Sequence, residues 1–493
     1  MVFMARRPEY KWVALAVTTL GSLMVAIDST IVILALPNML EDLHSNMVRM
    51  VWVIIGYLLV NTVLLLTFGR MADMFGRVRM YNLGFVIFTV GSVLCGFAQN
   101  DTMLIIARLA QGTGGAMLSA NGMAIITEVF PPNERGQAMG INAVTWGAGS
   151  VLGPVLGGLI LAVASWRWIF FVNLPIGVIG TLAAYLLLRE SSQRQQGERF
   201  DIVGAALGGI GLIFLLLGLI GGIGAGWLTS TNLMRFAAAL VALAAFVIWE
   251  RRVAYPMLDL HLFENRQYAF SVAAAALQSL AIFAVNFLLI FYLQGVRGNS
   301  PIQAALLILP MPLVSGIVGP LGGRWADKVG GMLPATLGLA TQAVSLALLA
   351  LLTPTTPYPL IALGLAVMGI GSGLFWSPNT STTMSAAPRA RLGIASGMLN
   401  TMRNVGMIFS YAIAMTVAAA SMPTAMMNAV FLGAIGQLGA AISQAFCAGM
   451  SHAFLASVAI CVVGIIFSAV RQSSTVAPAS GPDARSVSAP GVH

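Results

Sequence analysis

Long apolar stretches separated by short polar loops follow one another along almost the whole chain. A bilayer core about 30 Å thick needs about 20 apolar residues for each helix that crosses it, and by this rule the sequence predicts fourteen spans. The predicted spans are 12–36, 50–69, 80–98, 103–127, 137–163, 167–188, 203–223, 233–249, 268–294, 302–323, 333–352, 359–384, 394–419 and 450–470.

A short loop motif occurs twice. The pattern Gly-x-x-x-Asp-x-x-Gly begins at Gly69 and again at Gly323, 254 residues later. The pattern Gly-x-Ala-x-Gly begins at Gly136 and again at Gly393, 257 residues later. Two matches in register predict a duplicated chain. Eight predicted spans separate the two loops, so both loops face the same side of the membrane.

The duplication and the polar linkers divide the chain into four parts. We predict an N-terminal six-helix bundle (1–188), linkers with an inserted helix pair 7–8 (189–267), a C-terminal six-helix bundle (268–472) and a disordered cytoplasmic tail (473–493). Residues 421–449 hold no charged residue and could be counted as a fifteenth span, but one proline and several glycines favour an external hairpin or an interfacial segment.

The composition places the protein in a membrane. Hydrophobic residues make up 58% of the 493, charged residues only 8%, and the mean hydropathy is +0.89, whereas a soluble domain carries about 25% charged residues. The net charge is +9, but the basic residues are scattered through short loops, which argues against a nucleic-acid partner.

The distribution of Lys and Arg predicts the orientation. With the amino terminus inside, the loops and ends on the cytoplasmic side carry 19 of the 25 basic residues, and the outer loops carry four. This bias predicts a multi-pass protein of the cell inner (plasma) membrane with both termini cytoplasmic.

Neither the cysteines nor the histidines form a pattern that indicates chemistry. Three cysteines lack paired or metal-binding spacing, and four histidines lie far apart. We therefore expect no metal, no catalytic cluster and no cofactor, with a proton as the coupling ion, and we do not expect an enzyme.

Five stretches carry motifs that resemble those of known transporters. They are the loop Gly69–Arg79, the run Arg108–Gly114, the glycine-rich run Gly149–Gly158, the run Asp28–Pro37 and the run Trp166–Gly177. The first two resemble signatures of the major facilitator superfamily, the third is similar to its antiporter motif, and the last two resemble its fourteen-span drug:proton antiporter family. The resemblance covers about residues 10–472. It implies an all-α polytopic membrane protein with the major facilitator fold, two six-helix bundles plus two inserted helices.

The loop between spans 2 and 3 is a candidate gate. Asp73 either keeps the loop in water or caps the positive amino-terminal end of span 13. The resemblance adds that Arg77 pairs with Glu128, so that the loop latches the two halves. The gating residues are Gly69, Asp73, Gly76, Arg77, Glu128 and Asp327. The second copy has Gly331 where the first has Arg77, which predicts a weaker second gate.

Span 5 carries the antiporter motif Gly149, Gly153, Pro154, Gly157 and Gly158. The first, second and fourth of these lie four residues apart and share one helix face, where small residues allow close packing. That the motif also seals the cavity against proton leak is implied by the resemblance alone.

Asp28 is the predicted proton site, because no other carboxylate lies deep within a span. Counting about 1.5 Å per residue places Arg108 at a similar depth. The resemblance makes their helices neighbours, so we expect the two to meet. An intramembrane acid is functional by default. The alternative is a buried ion pair that only fixes helix packing.

Polar and aromatic residues within spans predict a central substrate cavity suited to a lipophilic, planar molecule. They are Tyr57, Asn61, Asn121, Asn142, Trp146, Gln278, Phe283, Asn286, Tyr292, Phe375, Trp376, Asn379 and Arg403. Taken singly, each aromatic is more often a packing residue. Arg403 has no evident carboxylate partner; it either bonds carbonyls between the halves or lines the cavity and disfavours cations.

The predicted function is proton-coupled antiport that exports lipophilic small molecules (multidrug efflux) by alternating access. An alternative is a dedicated exporter of one metabolite, lipid, siderophore or amino acid. A membrane receptor or polytopic enzyme is the alternative from another class. The expected partners are a small lipophilic substrate and the lipid bilayer, and we expect a monomer.

Overall fold

The structure is a computed structural model that describes residues 8–45, 47–190, 199–421 and 439–470. These residues are helical, with no β-strand among them. Numbered in the order of the predicted spans, the helices are α1 (Pro8–Asp42), α2 (Met47–Phe75), α3 (Arg77–Gly96), α4 (Asp101–Val129), α5 (Arg135–Val163), α6 (Trp168–Phe171, continued as Asn173–Leu187), α7 (Ile202–Ala225), α8 (Ser230–Glu250), α9 (Arg266–Phe291), α10 (Pro301–Leu307, continued as Pro310–Val329), α11 (Met332–Leu349), α12 (Tyr358–Ala386), α13 (Leu392–Ser421) and α14 (Ala440–Val470).

Twelve of these helices are long and apolar enough to cross a membrane within the described part of the chain. The exceptions are α4 and α13, which have 29 and 30 residues and carry the buried arginines Arg108 and Arg403. Both pack inside the bundle, α4 against α2 and α3, and α13 against α9 and α2. The protein is a multi-pass membrane protein, and the count of fourteen crossings stays a prediction.

The two halves are built in the same way. In the first half α1 packs on α5, and α4 packs on both α2 and α3. In the second half α9 packs on α13, and α12 packs on both α10 and α11, which are the equivalent pairs. The halves meet through α2 with α13 and through α5 with α10, so the contact between them is also two-fold.

The repeated loops turn at equivalent glycines. Gly76 links α2 to α3 with a φ of 112°, and Gly330 links α10 to α11 with a φ of 85°. L-residues rarely adopt these angles, so glycine is required at both sites. The last glycine of the repeated motif is therefore explained by the chain turn.

Polar residues start several helices where the sequence supplies them. Asn100 accepts a hydrogen bond from the backbone N–H of Met103 at the start of α4, and Asp201 accepts one from the backbone N–H of Gly204 at the start of α7.

The inserted helices α7 and α8 pack on each other, and α7 also contacts α2 and α13. The inserted pair therefore covers one of the two seams between the halves.

The last helix differs from its predicted bounds. It begins at Ala440 rather than at 450, so the end of the predicted hairpin is helical. Residues 422–438 of that hairpin, 191–198 of the first linker and the predicted tail lie outside the described residues.

Candidate functional site

Asp28 lies on α1 and is completely buried in the first half. Its Oδ2 accepts a hydrogen bond of 2.7 Å from Arg108 Nη1 on α4. Its Oδ1 accepts hydrogen bonds from Gln111 Nε2 at 2.8 Å and from Asn173 Nδ2 at 2.9 Å. Both carboxylate oxygens therefore have donors, which offsets part of the cost of burying the charge.

Arg108 is held from a second side by α2. Its Nε donates to the carbonyl oxygen of Val53 at 3.0 Å, and its guanidinium carbon lies 4.3 Å from the centroid of the Tyr57 ring. Charge, hydrogen bonding and stacking thus fix the guanidinium in one orientation. Tyr57, predicted to line the cavity, lies against this ion pair.

Three polar residues that were not predicted as site residues complete the cluster around Asp28. Gln111 and Asn173 both donate to the hydroxyl of Ser92, at 3.1 and 3.0 Å, and that hydroxyl donates to the carbonyl of Phe170. Asn173 begins the second segment of α6, directly after Val172, where the backbone dihedral angles stay right-handed helical. The available signal was a polar residue in each of three apolar spans, at the depth of Asp28.

Asp73 caps a helix of the opposite half, as one of the two interpretations of the sequence predicted. Its carboxylate oxygens accept hydrogen bonds from the backbone N–H groups of Gly393 (2.9 Å) and Ile394 (3.0 Å) at the start of α13. These N–H groups have no acceptor inside the helix, and the helix dipole favours a negative charge there. The contact, here called the first latch, joins α2 to α13.

Arg77 strengthens the first latch. Its Nε and Nη2 donate to Asp73 Oδ1 at 3.1 and 2.8 Å, and its Nη1 donates to Glu128 Oε2 at 2.8 Å. Its Nη2 also donates to the carbonyl of Arg389 in the second half, at 2.6 Å. The charged groups of the loop therefore form one buried network that spans both halves.

The repeat forms a second latch with the roles of the halves exchanged. Asp327 accepts hydrogen bonds from the backbone N–H groups of Gly136 (2.8 Å) and Gln137 (3.1 Å) at the start of α5. Gly136 and Gly393 are equivalent in the repeat, so the duplicated motifs are the two ends of the two latches. Both latches lie at one end of the molecule, here called the loop face.

The second latch has no arginine, and the structure shows why. A Cβ placed on Gly331, the equivalent of Arg77, would lie 2.8 Å from the carbonyl oxygen of Pro378 and would overlap the hydroxyl of Thr382. Helix α12 thus occupies the space that a side chain would need. The difference between Arg77 in the first loop and Gly331 in the second therefore removes a charge and also allows the second loop to pack closely on α12.

A further carboxylate supports the first loop. Glu190, in the linker after α6, accepts hydrogen bonds from the backbone N–H groups of Val78 (3.3 Å) and Arg79 (3.0 Å) at the start of α3. The sequence analysis placed Glu190 only in a polar linker. No local pattern pairs residues more than 100 positions apart.

The antiporter motif packs α5 against α1 beside Asp28. A Cβ on Gly149 would lie 2.5 Å from the Cβ of Ala26, and one on Gly153 would overlap the Thr30 hydroxyl. Pro154 lies within the helix, and Gly157 is buried. Gly158 differs, because no heavy atom of the described chain lies within 4 Å of its added Cβ. The first two glycines therefore set the distance between the helices.

The face opposite the loop face carries ion pairs that stay within the first half. Asp42 accepts hydrogen bonds from Arg167, and Asp101 accepts them from Ser45 and Arg49. The Arg167 guanidinium and then the Trp166 indole lower the pKa of Asp42. The Ser45 hydroxyl and then Arg49 lower the pKa of Asp101 to about 2. These pairs fasten helix ends within one half, whereas the two latches join the halves.

Amide side chains bridge the halves further into the molecule. Asn400 on α13 donates to the carbonyl of Ser119 at 3.0 Å, and Asn404 donates to the hydroxyl of Thr62 at 3.2 Å. Asn61, a predicted cavity residue, lies 3.5 Å from Asn404 across the same seam. Polar contacts between the halves thus extend from the loop face towards the middle.

Arg403 lies between these two asparagines on α13 and is 6% exposed. Its Nη2 donates to the hydroxyl of Thr380 at 2.6 Å, and its guanidinium carbon lies 4.2 Å from the centroid of the Trp376 ring. Among the described residues no carboxylate forms an ion pair with Arg403. The structure therefore joins two predicted cavity residues, Arg403 and Trp376.

Two predicted cavity aromatics lie in apolar packing clusters instead. Tyr292 is completely buried at the end of α9, and its hydroxyl donates to the carbonyl of Thr353 at 2.7 Å. Phe375 is completely buried with Leu339 between α11 and α12. Phe283 contacts Tyr411, with 6.2 Å between the ring centroids. Trp376 packs against the cluster that contains Phe375, whereas Tyr292 belongs to a separate apolar cluster.

The remaining predicted cavity residues are spread over several helices. Asn121 donates to the carbonyl of its own helix, Asn142 donates to Ser22 and Asn379 donates to the carbonyl of Ser271. Gln278 is buried and Trp146 is 43% exposed. The side chain of Asn286 lies outside the described part of the chain. Contact of these residues with substrate stays a prediction.

Two halves with the same internal packing, joined at one end by reciprocal helix caps and holding a buried ion pair, define a polytopic membrane transporter. The chain belongs to the major facilitator superfamily, which matches residues 18–411. The superfamily and the all-α major facilitator fold predicted from the sequence motifs are confirmed, and the fourteen-span drug:proton antiporter family stays a prediction. The protein is a transporter, and the alternative of a polytopic enzyme was wrong.

Relatives of known name support this membership. The chain is 33% identical to the riboflavin transporter RibZ of Clostridioides difficile (strain 630) over 397 residues, which cover 80% of this chain and 86% of RibZ. It is 34% identical to the multidrug resistance protein Stp of Mycobacterium tuberculosis (strain CDC 1551 / Oshkosh) over 407 residues, which cover 82% of this chain and 75% of Stp. The solved structure of the proton:xylose symporter XylE has the same fold, with a TM-score of 0.63 and 14% identity over 93% of this chain and 95% of XylE.

Proposed function

We propose that the protein is a proton-coupled antiporter that exports lipophilic small molecules by alternating access. It would lie in the plasma membrane with the loop face and both termini on the cytoplasmic side. The positive charge of the predicted inner loops supports this orientation.

The latches support alternating access. Each latch joins a loop of one half to a helix end of the other, at the loop face. The charged and amide contacts described between the halves lie from this face towards the middle, and the ion pairs of the opposite face remain within the first half. This distribution suits a state closed on the cytoplasmic side. Breaking both latches would let the halves rock apart there.

Asp28 is the observation that carries proton coupling. It is a fully buried carboxylate whose charge is balanced by one arginine, and its helix packs against the glycine-rich face of α5. Protonation of Asp28 removes its charge and weakens the bond to Arg108. Arg108 also contacts Val53 and Tyr57 on α2. A shift of Arg108 on protonation of Asp28 would therefore change its contacts with α2, the helix that carries Asp73 of the first latch.

The named relatives favour two kinds of substrate. Similarity to the multidrug resistance protein Stp supports export of several lipophilic compounds. Similarity to the riboflavin transporter RibZ supports the second candidate, transport dedicated to one metabolite. We propose export of several lipophilic compounds, and the test below distinguishes it from transport of a single metabolite.

The test is transport by the purified protein in proteoliposomes with an imposed pH gradient. The compounds offered are a lipophilic cation (ethidium), a neutral flavin (riboflavin) and an aromatic acid (2-naphthoate). We expect movement of at least one lipophilic compound, driven by the gradient and matched by an opposite flux of protons read with an internal pH dye. Transport of riboflavin alone would favour the dedicated exporter. Substrate movement that ignores the gradient would refute proton coupling.

A further inference from the structure

The two arginines within the helices differ in how their charge is balanced. Arg108 is 1% exposed and pairs with Asp28 at 2.7 Å, so that pair is neutral as a whole. Arg403 is 6% exposed, and the described residues offer it no carboxylate. A buried charge without a counter-charge is costly, so a site that keeps one is expected to receive the opposite charge from elsewhere.

The guanidinium of Arg403 is oriented but not saturated. Thr380 accepts one hydrogen bond from Nη2, and the flat face stacks on Trp376. Stacking occupies the flat face of a guanidinium and leaves the N–H groups at its edge free to donate. Their spacing allows two parallel hydrogen bonds to one carboxylate. The Nε and Nη1 atoms of Arg403 are not enclosed by protein without a hydrogen-bond partner. These two donors are therefore accessible to a ligand.

The position of Arg403 is where the two halves meet. It lies between Asn400 and Asn404, and both of these asparagines bond to the first half. Trp376 is half-buried: it packs against the cluster of Phe375 and Leu339, and part of the residue remains uncovered. A cation and an aromatic surface thus occur together beside the seam that opens when the halves move.

We infer that Arg403 and Trp376 form a binding site for a planar aromatic substrate that carries an acid group. The acid group supplies the missing counter-charge to Arg403, and the aromatic ring packs on the uncovered part of Trp376. The inference rests on the proposed function only in taking the chain to carry a lipophilic substrate. It narrows that substrate from any lipophilic molecule to organic anions.

The test compares three probes that share one ring system and differ in charge. They are 2-naphthoate, 2-naphthamide and 2-naphthylmethylammonium, and their binding to the purified full-length protein is measured by calorimetry. We expect the acid to bind about tenfold or more tightly than the amide, as for a charge-assisted hydrogen bond, and the ammonium to bind most weakly. An acid that binds no better than the amide would overturn the inference, and this result needs no variant.

Three variants assign the effect to Arg403. Arg403→Gln should remove the preference for the acid while leaving the affinity for the amide within about twofold. Arg403→Lys keeps the charge but not the planar fork, and should retain part of the preference. Arg235→Gln, on the inserted helix α8, removes the same charge elsewhere and should change none of the three affinities. Equal weakening of all three probes by Arg403→Gln would show a merely structural role and refute the site.

The outcomes separate this inference from the proposed function. If a neutral or cationic compound moves with proton exchange while the acid shows no preferential binding, the inference fails and the proposed function stands. If the acid binds with the expected dependence on Arg403 but no compound moves against a proton flux, the site stands and proton coupling fails.

Discussion

Asp28 receives three hydrogen bonds from donors on two other helices, α4 and α6. An asparagine in its place would keep the volume but present an N–H₂ group to donors. It would also leave Arg108 as a buried charge without its partner, which costs about 3–5 kcal/mol in measured cases. The residue therefore has a structural role as well as the proposed role in proton transfer, and the two must be measured separately.

Asp28→Asn is expected to abolish proton-driven export and to lower the thermal stability of the protein. The double variant Asp28→Asn/Arg108→Gln, which removes both charges, should recover most of the stability without recovering proton exchange. Unfolding temperature and proton flux in proteoliposomes measure the two effects. If Asp28→Asn keeps full export and normal proton counter-flow, the pair is only a packing element.

The two latch carboxylates differ in the number of groups they hold. Asp73 accepts hydrogen bonds from two backbone N–H groups and from Arg77, whereas Asp327 accepts those of Gly136 and Gln137. A hydrogen bond to a charged group contributes about 1.5–3 kcal/mol. The first latch should therefore contribute more to the closed state.

Asp73→Asn should slow transport about tenfold or more, and Asp327→Asn only a few-fold, because a difference of about 1.4 kcal/mol corresponds to a factor of ten. Substrate affinity should change little in either variant, since neither carboxylate lies at the proposed site. Initial transport rates and equilibrium binding test this. Equal slowing by the two substitutions would argue against an asymmetric gate.

At the scale of elements, packing of α5 on α1 depends on particular glycines rather than on glycine content. The added Cβ of Gly149 meets Ala26, and that of Gly158 meets no described atom. These two positions of one motif therefore provide a test and its matched control.

Gly149→Ala should destabilise the protein by about 1–3 kcal/mol, as other overpacked sites do, and should impair transport because α1 carries Asp28. Gly158→Ala should be neutral, or stabilising by up to about 1 kcal/mol, since alanine favours the helix. Unfolding in detergent by heat or denaturant compares the two. Comparable losses for both variants would mean that the motif acts through something other than this contact.

Sequence reasoning was most successful where a residue type is rare in its setting. A carboxylate and an arginine deep in apolar spans had few possible partners, so Asp28 and Arg108 could be paired by depth. The glycines of the repeated loops were marked by their register. Tyr292 and Phe375 had no such signal, because aromatic residues occur at many positions of apolar spans and their type alone does not say which of them face the centre.

Contacts between polar residues far apart in the sequence were also out of reach. Asn173 donates to Asp28, 145 positions away, and Glu190 reaches α3 from a linker. Both depend on a path of the backbone that composition does not encode. The early start of α14 at Ala440 is of the same kind, since Gly439 and its neighbours gave turn signals directly before it.

At the scale of the whole molecule, α4 and α13 decide the topology. They are not among the twelve helices identified as membrane spans in the described part of the chain, yet each must cross the membrane if there are fourteen spans. Exposed residues precede and follow α4, others lie before α13 and at the start of α14, and the native cysteines at positions 95, 447 and 461 are buried. Single introduced cysteines can therefore report on each helix.

A membrane-impermeant maleimide should label Gln99→Cys and Ala440→Cys from outside intact cells. It should label Asn133→Cys and Pro388→Cys only after the cells are permeabilised. The first and third sites flank α4; the fourth precedes α13, and the second begins α14. Labelling of Gln99→Cys and Asn133→Cys from the same side would show that α4 does not cross, and labelling of Ala440→Cys and Pro388→Cys from the same side would contradict the fourteen-span topology between α12 and α14.

The reciprocal helix caps have a consequence for the history of the chain. A half-length ancestor with one Asp loop and one capped helix could satisfy neither group alone, but two copies side by side would satisfy both, each Asp reaching the helix of the other copy. Such a homodimer already has the geometry that α2–α13 and α5–α10 show here. Once two copies are fused into one chain, they need not be identical. One loop can then carry Gly331 and pack closely on α12, while the other keeps the charged contacts of Arg77.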